Sequence, residues 1–273
     1  MRCNVYTNIM TEITTHYKSY LFEKPIEVSN IWWEVIVNIT NRDESESVYS
    51  WYDLEEKESY SMYINKCLLW WLIHGVPKKV LIIWYGGGSF VKFLEDHFEN
   101  IEIVWIDIEE SMQAICKDIL QVQTENLLVW DAYDALDSLE NVWEKYDLVL
   151  FDIYWNDSKI PEKFTNIDFF KKVKDILTDT WIFSINMSDF EWEKKKYQTM
   201  HHWLKEVFWP TFSLFLSWQN DISNVMGIYN LEKEYTAIDF DENYKHLVES
   251  WKALRSVEIV RNTVVDEGKV YLK

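Results

Sequence analysis

A glycine-rich loop and the acids that follow it are the strongest sign of a ligand site in this sequence. Gly86, Gly87 and Gly88 stand between a short apolar run and a segment with helical periodicity. Such a loop lets the backbone approach a ligand, and the N-terminus of the following helix favours negative charge. Asp107 ends the next apolar run roughly 20 residues later, a spacing at which a carboxylate binds ribose hydroxyls in nucleotide-binding folds. Glu109 follows on the same face and is a second candidate for binding the ligand.

Two further acids end apolar runs and could belong to the same site. Asp131, followed by Ala132, could accept a hydrogen bond from an adenine amino group. Asp152 could act as a general base or hold a cationic amine, and Tyr154 and Asp157 lie near it in the sequence. These acids could equally cap the helices that follow them or lie in solvent, and the residue types alone leave those alternatives open.

Apolar runs that alternate with amphipathic segments predict the elements that position these residues. The alternation is typical of βαβ units and predicts an α/β fold with a doubly wound, mostly parallel Rossmann-like sheet. Ligands bind such sheets at the carboxyl ends of the strands, where the glycine loop and the acids fall. The predicted parallel strands cover residues 78–84, 101–107, 125–131, 145–152 and 180–186. The predicted helices cover 89–98, 110–120, 132–139, 166–177 and 193–208, and a closing antiparallel pair covers 211–218 and 224–233.

The N-terminal part has a different pattern. Residues 26–40 alternate apolar and polar side chains, which predicts two strands joined near Trp32 and Trp33. A helix is expected over residues 53–75, and the acidic segment beyond residue 232 is expected to be helical, with a last strand near 256–260. We therefore expect an N-terminal β-rich unit over residues 1–57 and a Rossmann-like, nucleoside-binding catalytic domain over residues 58–273.

Charge and composition limit the classes of partner. The formal net charge of -19 disfavours nucleic acid and anionic membranes and would attract a small cationic substrate such as a polyamine, although it equally fits a solvated acidic surface. No apolar run is long enough for a membrane span, and no signal peptide is recognised. Cys3, Cys67 and Cys116 lie far apart, which favours a reduced cytoplasmic setting, and no metal-binding motif is present.

The glycine and tryptophan counts are abnormal. The chain has 6 glycines and 16 tryptophans, whereas an average chain of this length would have about 19 glycines. Several tryptophans fall where backbones turn or approach ligands, positions that favour glycine. One hypothesis is that UGA codons are read as glycine in the native organism; the alternative is a tryptophan-rich protein with an unusual core. The hypothesis concerns chiefly Trp84, Trp105, Trp130, Trp155 and Trp181, where it predicts crowding if tryptophan is kept.

At these residues the sequence resembles the spermidine synthase family, the polyamine aminopropyltransferases, and in particular its divergent spermidine synthase-like branch. The resemblance covers roughly residues 30–230 and is carried by segments that fall at the family's spacings: VLIIWYGGGSFVKFLEDH, IDIEE, VWDAYDAL, YDLVLFDIYWND and LTDTWIF. It implies a sheet of the class I S-adenosylmethionine methyltransferase type with a small N-terminal β-unit, and a homodimer.

The resemblance also implies roles for the candidate residues. Gly86 and Gly88 would lie against the methionine part of the ligand, Asp107 would hold the ribose, and Asp131 the adenine amine. Asp152 would correspond to the family's catalytic Asp, which helps to deprotonate putrescine. The amine then takes an aminopropyl group from decarboxylated S-adenosylmethionine.

The chain departs from the family pattern at several positions. The family usually carries an Asp in the glycine loop, which holds the amine of the decarboxylated donor, and Gly87 occupies that place. Trp155 stands where a second Asp is expected, and Asp157 could substitute for it. Tyr49 takes the place of a Gln in the N-terminal unit, and Tyr60 fits the substrate-binding Tyr that precedes the sheet.

The resemblance therefore implies an aminopropyltransferase that acts on a polyamine such as putrescine. The same fold also serves methyltransferases that use ordinary S-adenosylmethionine, and the missing loop carboxylate favours that alternative. A non-catalytic nucleoside-binding homologue is a further alternative. An NAD-dependent enzyme fits less well, because no hydride-transfer dyad is visible.

Overall fold

Two β-sheets make up the described part of the chain, one of five strands and one of seven. The structure is a computed structural model. It describes residues 12–22, 24–40, 46–59, 76–84, 86–123, 125–141, 143–153, 160–188, 194–208, 212–216 and 223–230. Within these ranges, no helix is long and apolar enough to cross a membrane.

The N-terminal sheet is antiparallel, and its spatial order follows the sequence. Its strands are β1 (Glu12–Tyr17), β2 (Ile26–Ile31), β3 (Glu34–Thr40), β4 (Glu46–Asp53) and β5 (Glu58–Ser59). Alternate residues of β3 are buried, as expected for a sheet with one face on the core. Ile31 pairs with Glu34, so a two-residue turn joins β2 and β3, which confirms the hairpin predicted at Trp32 and Trp33.

The central sheet has five parallel strands and an antiparallel pair at one edge, in the order β11-β12-β10-β9-β6-β7-β8. The strands are β6 (Lys79–Ile83), β7 (Glu102–Asp107), β8 (Leu127–Val129), β9 (Tyr146–Phe151), β10 (Leu177–Ser188), β11 (Phe212–Leu216) and β12 (Ser223–Asn230). The helices are α1 (Ser89–His97), α2 (Ser111–Asp118), α3 (Ala132–Asn141), α4 (Ile167–Asp175) and α5 (Lys194–Phe208), with a 3-10 turn at Glu162–Phe164. The predicted doubly wound α/β fold and its closing antiparallel pair are confirmed.

Strand β6 lies at the point where the strand order reverses. The chain runs from β6 outward through β7 to β8, and then returns to β9 on the other side of β6. In sheets of this kind the ligand site lies outside the carboxyl ends of the strands at this switch point. The glycine loop and the acids that follow β7, β8 and β9 therefore lie along one edge of the sheet.

Side chains of the central strands contribute to two hydrophobic cores, one on each face of the sheet. Ile82 of β6 belongs to a cluster with Val35 and Tyr52 of the N-terminal sheet and with residues of α1 and α2. The neighbouring Ile83 belongs to a second cluster, formed with α3, α4 and α5. Burial on both faces explains why the parallel strands have continuous apolar sequences. The N-terminal sheet thus covers the face of the central sheet that carries α1 and α2.

One predicted helix is wrong at its start. Residues 53–59 were expected to begin a helix, but Asp53 Oδ1 instead accepts hydrogen bonds of 2.8 Å from the N–H groups of Glu55 and Glu56. Lys57 has a φ of 57°, which completes the turn, and β5 follows it. The side chain of Asp53 therefore stabilises a turn between β4 and β5. Residues 60–75 and 231–273 lie outside the described residues, and the division at residue 57 stays a prediction, although the sheet continues to Ser59.

Candidate functional site

A cavity of about 410 Å³ opens at the carboxyl ends of the parallel strands. Three residues that the sequence predicted for the site, Asp107, Asp131 and Ala132, line it. The remaining lining residues come from the ends of β6, β7, β8 and β9 and from the segment around the 3-10 turn: Trp84, Ile106, Ile108, Trp130, Ile153, Ile160, Pro161, Glu162, Lys163 and Phe164. The cavity is therefore mostly apolar, with carboxylates at fixed points of its wall.

The glycine loop is pressed between the end of β6 and the N-terminal sheet. Gly86, Gly87 and Gly88 all have positive φ, and α1 begins at the next residue. A Cβ atom added to Gly87 would lie 2.6 Å from the Cβ of Ser50 and 3.2 Å from that of Val37. Real Cβ atoms do not approach that closely, so no side chain fits at position 87 in this packing. The N-terminal sheet therefore leaves no room for the loop carboxylate that the spermidine synthase family usually has at this position.

Asp107 ends β7 and is buried, with 2% of its surface exposed. Its Oδ1 accepts a hydrogen bond of 2.8 Å from the N–H of Glu109, which shapes the turn into α2. The carboxylate thus stabilises the turn before α2 and does not cap that helix, which begins at Ser111. Because Asp107 also lines the cavity, the ribose-binding role stays open.

Glu109 joins the N-terminal segment to the end of β7. Its carboxylate accepts hydrogen bonds from the Ser19 hydroxyl at 2.7 Å, from the Leu21 N–H at 2.9 Å and from the Ser111 hydroxyl at 2.6 Å. Burial alone would raise the pKa of Glu109, but these hydrogen bonds outweigh it and hold the pKa below its ordinary value. Its carboxylate therefore anchors the N-terminal segment, and the predicted contact of Glu109 with the ligand stays a prediction.

Asp131 both caps a helix and faces the cavity. Its Oδ1 accepts a hydrogen bond of 3.0 Å from the Tyr133 N–H at the start of α3, and its Oδ2 forms an ion pair with Lys163. Lys163 Nζ also lies 4.8 Å from the centre of the Phe164 ring. A carboxylate oxygen can accept more than one hydrogen bond, so capping leaves Asp131 able to bind an amino group as well. No local spacing indicated Lys163, because it lies on a different loop.

Asp152 follows β9 and is half-buried. Its Oδ1 accepts a hydrogen bond of 2.8 Å from Asn186 Nδ2, and its N–H donates to the Ile83 carbonyl at 3.1 Å. Asn186 was missed, although the parallel pairing of β9 with β10 places it beside Asp152. The other expected residues around this acid, Tyr154 and Asp157, lie outside the described residues, as does Tyr60.

Tyr49 of β4 brings the N-terminal sheet into the site. Its hydroxyl accepts a hydrogen bond from the indole Nε1 of Trp84. Burial and then the negative charge of Asp107 raise the pKa of Tyr49 well above its ordinary value. The Trp84 hydrogen bond lowers that pKa by less, and the charge of Asp152 raises it by less again. The tyrosine therefore stays a neutral hydroxyl close to the site's carboxylates. No group of three or more His, Cys, Asp or Glu side chains suited to a metal ion occurs among the described residues.

The strand order, with five parallel strands followed by an antiparallel pair, defines a sheet of the class I methyltransferase type. A family model described as the spermine/spermidine synthase domain matches residues 67–242, which is more than half of the chain. The chain therefore belongs to the spermine/spermidine synthase family.

Two groups of named relatives are similar in sequence. The human eEF1A lysine and N-terminal methyltransferase is 29% identical over 127 residues, which cover 42% of this chain and 18% of that protein. The polyamine aminopropyltransferase of Chromobacterium violaceum is 29% identical over 170 residues, which cover 60% of this chain and 62% of that enzyme. The chain thus spans less than two thirds of the length of either relative. Both are transferases by name.

Solved structures of both kinds share the fold. A probable spermidine synthase from Corynebacterium glutamicum matches with a TM-score of 0.67 at 12% identity, covering 87% of this chain and 88% of that one. Human methyltransferase-like protein 13, in complex with SAH, matches with a TM-score of 0.54 at 23% identity, covering 72% of this chain and 90% of that one. At these identities the likeness concerns the fold.

Proposed function

We propose that this chain transfers an aminopropyl group from decarboxylated S-adenosylmethionine to a small cationic amine such as putrescine. The observation that carries the proposal is the placement of Asp107, Asp131 and Asp152 at the carboxyl ends of three strands of one sheet, beside an apolar cavity. The family membership and the similarity to a polyamine aminopropyltransferase support it.

The cavity offers matching groups for an adenosyl donor. Asp107 would accept hydrogen bonds from the ribose hydroxyls, and Asp131 would accept one from the adenine amino group. The apolar side chains of Ile106, Ile108 and Ile153 would contact the faces of the base. Asp107 would thus hold the ribose, and Asp131 together with the apolar side chains would hold the base, so the sulfonium group could lie near the glycine loop.

Asp152 is the group that would act on the acceptor. The amine nitrogen attacks the carbon bonded to the sulfonium sulfur. The new C–N bond forms as the C–S bond breaks. The electron pair of the C–S bond stays on sulfur, which leaves as a neutral thioether. The proton lost by the nitrogen passes to Asp152, which the Asn186 amide orients. The remaining contribution of the protein is alignment of the nitrogen with the carbon, in a site whose acidity favours a cationic amine.

Methyl transfer from ordinary S-adenosylmethionine is the second candidate, and a specific observation favours it. The packing of Gly87 against Ser50 leaves no room for a loop carboxylate that would hold the amine of a decarboxylated donor. The similarity to eEF1A lysine and N-terminal methyltransferases points the same way. The same Asp152 would then accept the proton of a methylated amine.

The products distinguish the two reactions. The protein would be incubated with putrescine and each donor in turn, and the nucleoside products identified by mass spectrometry. Aminopropyl transfer yields 5′-methylthioadenosine and spermidine, whereas methyl transfer yields S-adenosylhomocysteine. We expect the first pair, and we expect the Asp152→Asn variant to form neither. Formation of S-adenosylhomocysteine alone would replace the first proposal by the second.

A further inference from the structure

Three tryptophans adopt a backbone conformation that large side chains avoid. Trp32, Trp84 and Trp143 have φ values of 63°, 68° and 60°. Among the described residues, the other non-glycine residues with positive φ are Lys57 and Gln121. A bulky residue in this left-handed region is an outlier, whereas glycine adopts it without a steric penalty. Three of these five non-glycine residues are tryptophan, and this enrichment requires a physical explanation.

Two of the three positions are turns that glycine ordinarily fills. Trp32 is the first residue of the two-residue turn between β2 and β3, a turn that favours glycine at positions of positive φ. Trp143 follows the end of α3, where the Glu144 N–H donates to the Leu139 carbonyl at 3.2 Å. That hydrogen bond is the one of a Schellman motif, in which the left-handed residue is usually glycine.

The side chains at these two turns contribute little packing. Trp32 is 57% exposed and Trp143 is 84% exposed. Nothing in the core therefore requires an indole at either place, whereas the backbone at both favours glycine. Trp105 and Trp181 differ, because they lie in strands with 0% and 5% exposure, and the structure does not extend the argument to them.

Trp84 is the third position and lies in the ligand site. It follows β6 directly, opens the glycine loop and lines the cavity. Its indole fills the space between the cavity and the Tyr49 hydroxyl, to which its Nε1 donates a hydrogen bond. A residue without a side chain at this position would join that space to the cavity.

We propose that positions 32, 84 and 143 are glycines in the protein made by its native cell, through UGA codons decoded as glycine, and that its ligand cavity extends past position 84 to Tyr49. The whole-chain composition of 6 glycines and 16 tryptophans agrees with this decoding. With glycine at position 84, the Tyr49 hydroxyl loses its indole partner and becomes a polar group of the ligand site, close to Asp107 and Asp152. This second part rests on the proposed function.

Mass spectrometry of the native protein tests the decoding. The peptide that contains residues 80–92 would be isolated from the native source and sequenced, together with those that span positions 32 and 143. Glycine at the three positions is the expected result. Tryptophan at them would overturn the decoding.

Thermal unfolding of the recombinant chain tests the backbone argument. Trp32→Gly and Trp143→Gly are each expected to raise Tm by about 2–4 °C, because they relieve the left-handed conformation. Trp203→Gly, within α5, is the matched control and is expected to lower Tm, because glycine destabilises a helix interior. A fall in Tm for both turn variants would contradict the argument.

Calorimetry tests the extended cavity. Trp84→Gly is expected to bind S-adenosylmethionine or its decarboxylated form at least about tenfold more tightly than the parent chain, and adding Tyr49→Phe is expected to remove part of that gain. Equal or weaker binding by Trp84→Gly would overturn the cavity extension and leave the decoding to its own test. Tight binding without product from either donor would instead contradict the proposed function.

Discussion

The Asn186 side-chain amide donates a hydrogen bond of 2.8 Å to Asp152 Oδ1 and so joins the carboxyl ends of β10 and β9. The contact fixes the orientation of the carboxylate proposed to accept the proton of the attacking amine. Because the donor is a neutral amide, it orients Asp152 without competing for the proton. The pair therefore gives the proposed base a fixed direction.

Removal of this base defines the first prediction. Asp152→Asn keeps the size of the side chain but cannot accept the proton, so kcat is expected to fall at least about 100-fold while donor affinity stays within twofold. Asp134→Asn, an exposed acid on α3, is the matched control and should retain full activity. Steady-state kinetics with calorimetric donor binding measure both. Full activity in Asp152→Asn would remove this residue from the mechanism.

The second prediction concerns the contact between Asp107 and the ribose of the donor. Replacing it by Asn removes a charged acceptor that lines the cavity, and a hydrogen bond to a charged group contributes about 1.5–3 kcal/mol. Donor affinity is therefore expected to fall roughly 10- to 150-fold. Tm would be recorded alongside, because Asp107 also accepts the Glu109 N–H. An unchanged donor affinity in a folded variant would show that the carboxylate serves only the turn.

The third prediction concerns Asp131 and the adenine base of the donor. S-inosylhomocysteine replaces the adenine amino group with an oxygen that Asp131 would repel, so it is expected to bind at least about tenfold more weakly than S-adenosylhomocysteine. Asp131→Asn should narrow or reverse that preference and still cap α3, because Asn is an equally good cap. Equal binding of the two nucleosides by the parent chain would show that the adenine base does not contact Asp131.

Glu109 carries a prediction on stability and pH. Glu109→Gln removes a charged acceptor from the contacts to Ser19, Leu21 and Ser111, and should lower the free energy of unfolding by about 2 kcal/mol at pH 7. The folded state lowers the pKa of Glu109 below 4.5, so its stabilisation is complete above that pH and is lost as pH falls through the lowered value. The gap between parent and variant should therefore close in acid, as measured by urea unfolding. Glu110→Gln, an exposed neighbour, should show no such gap at any pH.

Periodicity and apolar runs were sufficient to predict the fold. The parallel strands β6 to β10 and the helices between them lie within a few residues of their expected bounds, because burial on both faces leaves a continuous apolar signature. The start of the helix expected at Asp53 was wrong because an aspartate that begins a helix and one that stabilises a turn look alike in sequence.

Only those site residues that lie at the ends of predicted strands could be found from the sequence. Asp107 and Asp131 were found because each directly follows an apolar run. Tyr49 and Lys163 reach the site or its acids from a separate sheet and from another loop, so no local spacing signals their role. The occupation of Glu109 by the N-terminal segment depends on packing across roughly 90 residues of chain, which local patterns do not encode.

Calorimetric binding of decarboxylated and ordinary S-adenosylmethionine decides between aminopropyl and methyl transfer. The measurement would use the Trp84→Gly variant beside the parent chain, so that the indole in the cavity wall does not mask a binding site. We expect tighter binding of the decarboxylated donor. Tighter binding of the ordinary donor would assign the site to methyl transfer, and binding of neither by either chain would contradict a nucleoside site at this edge of the sheet.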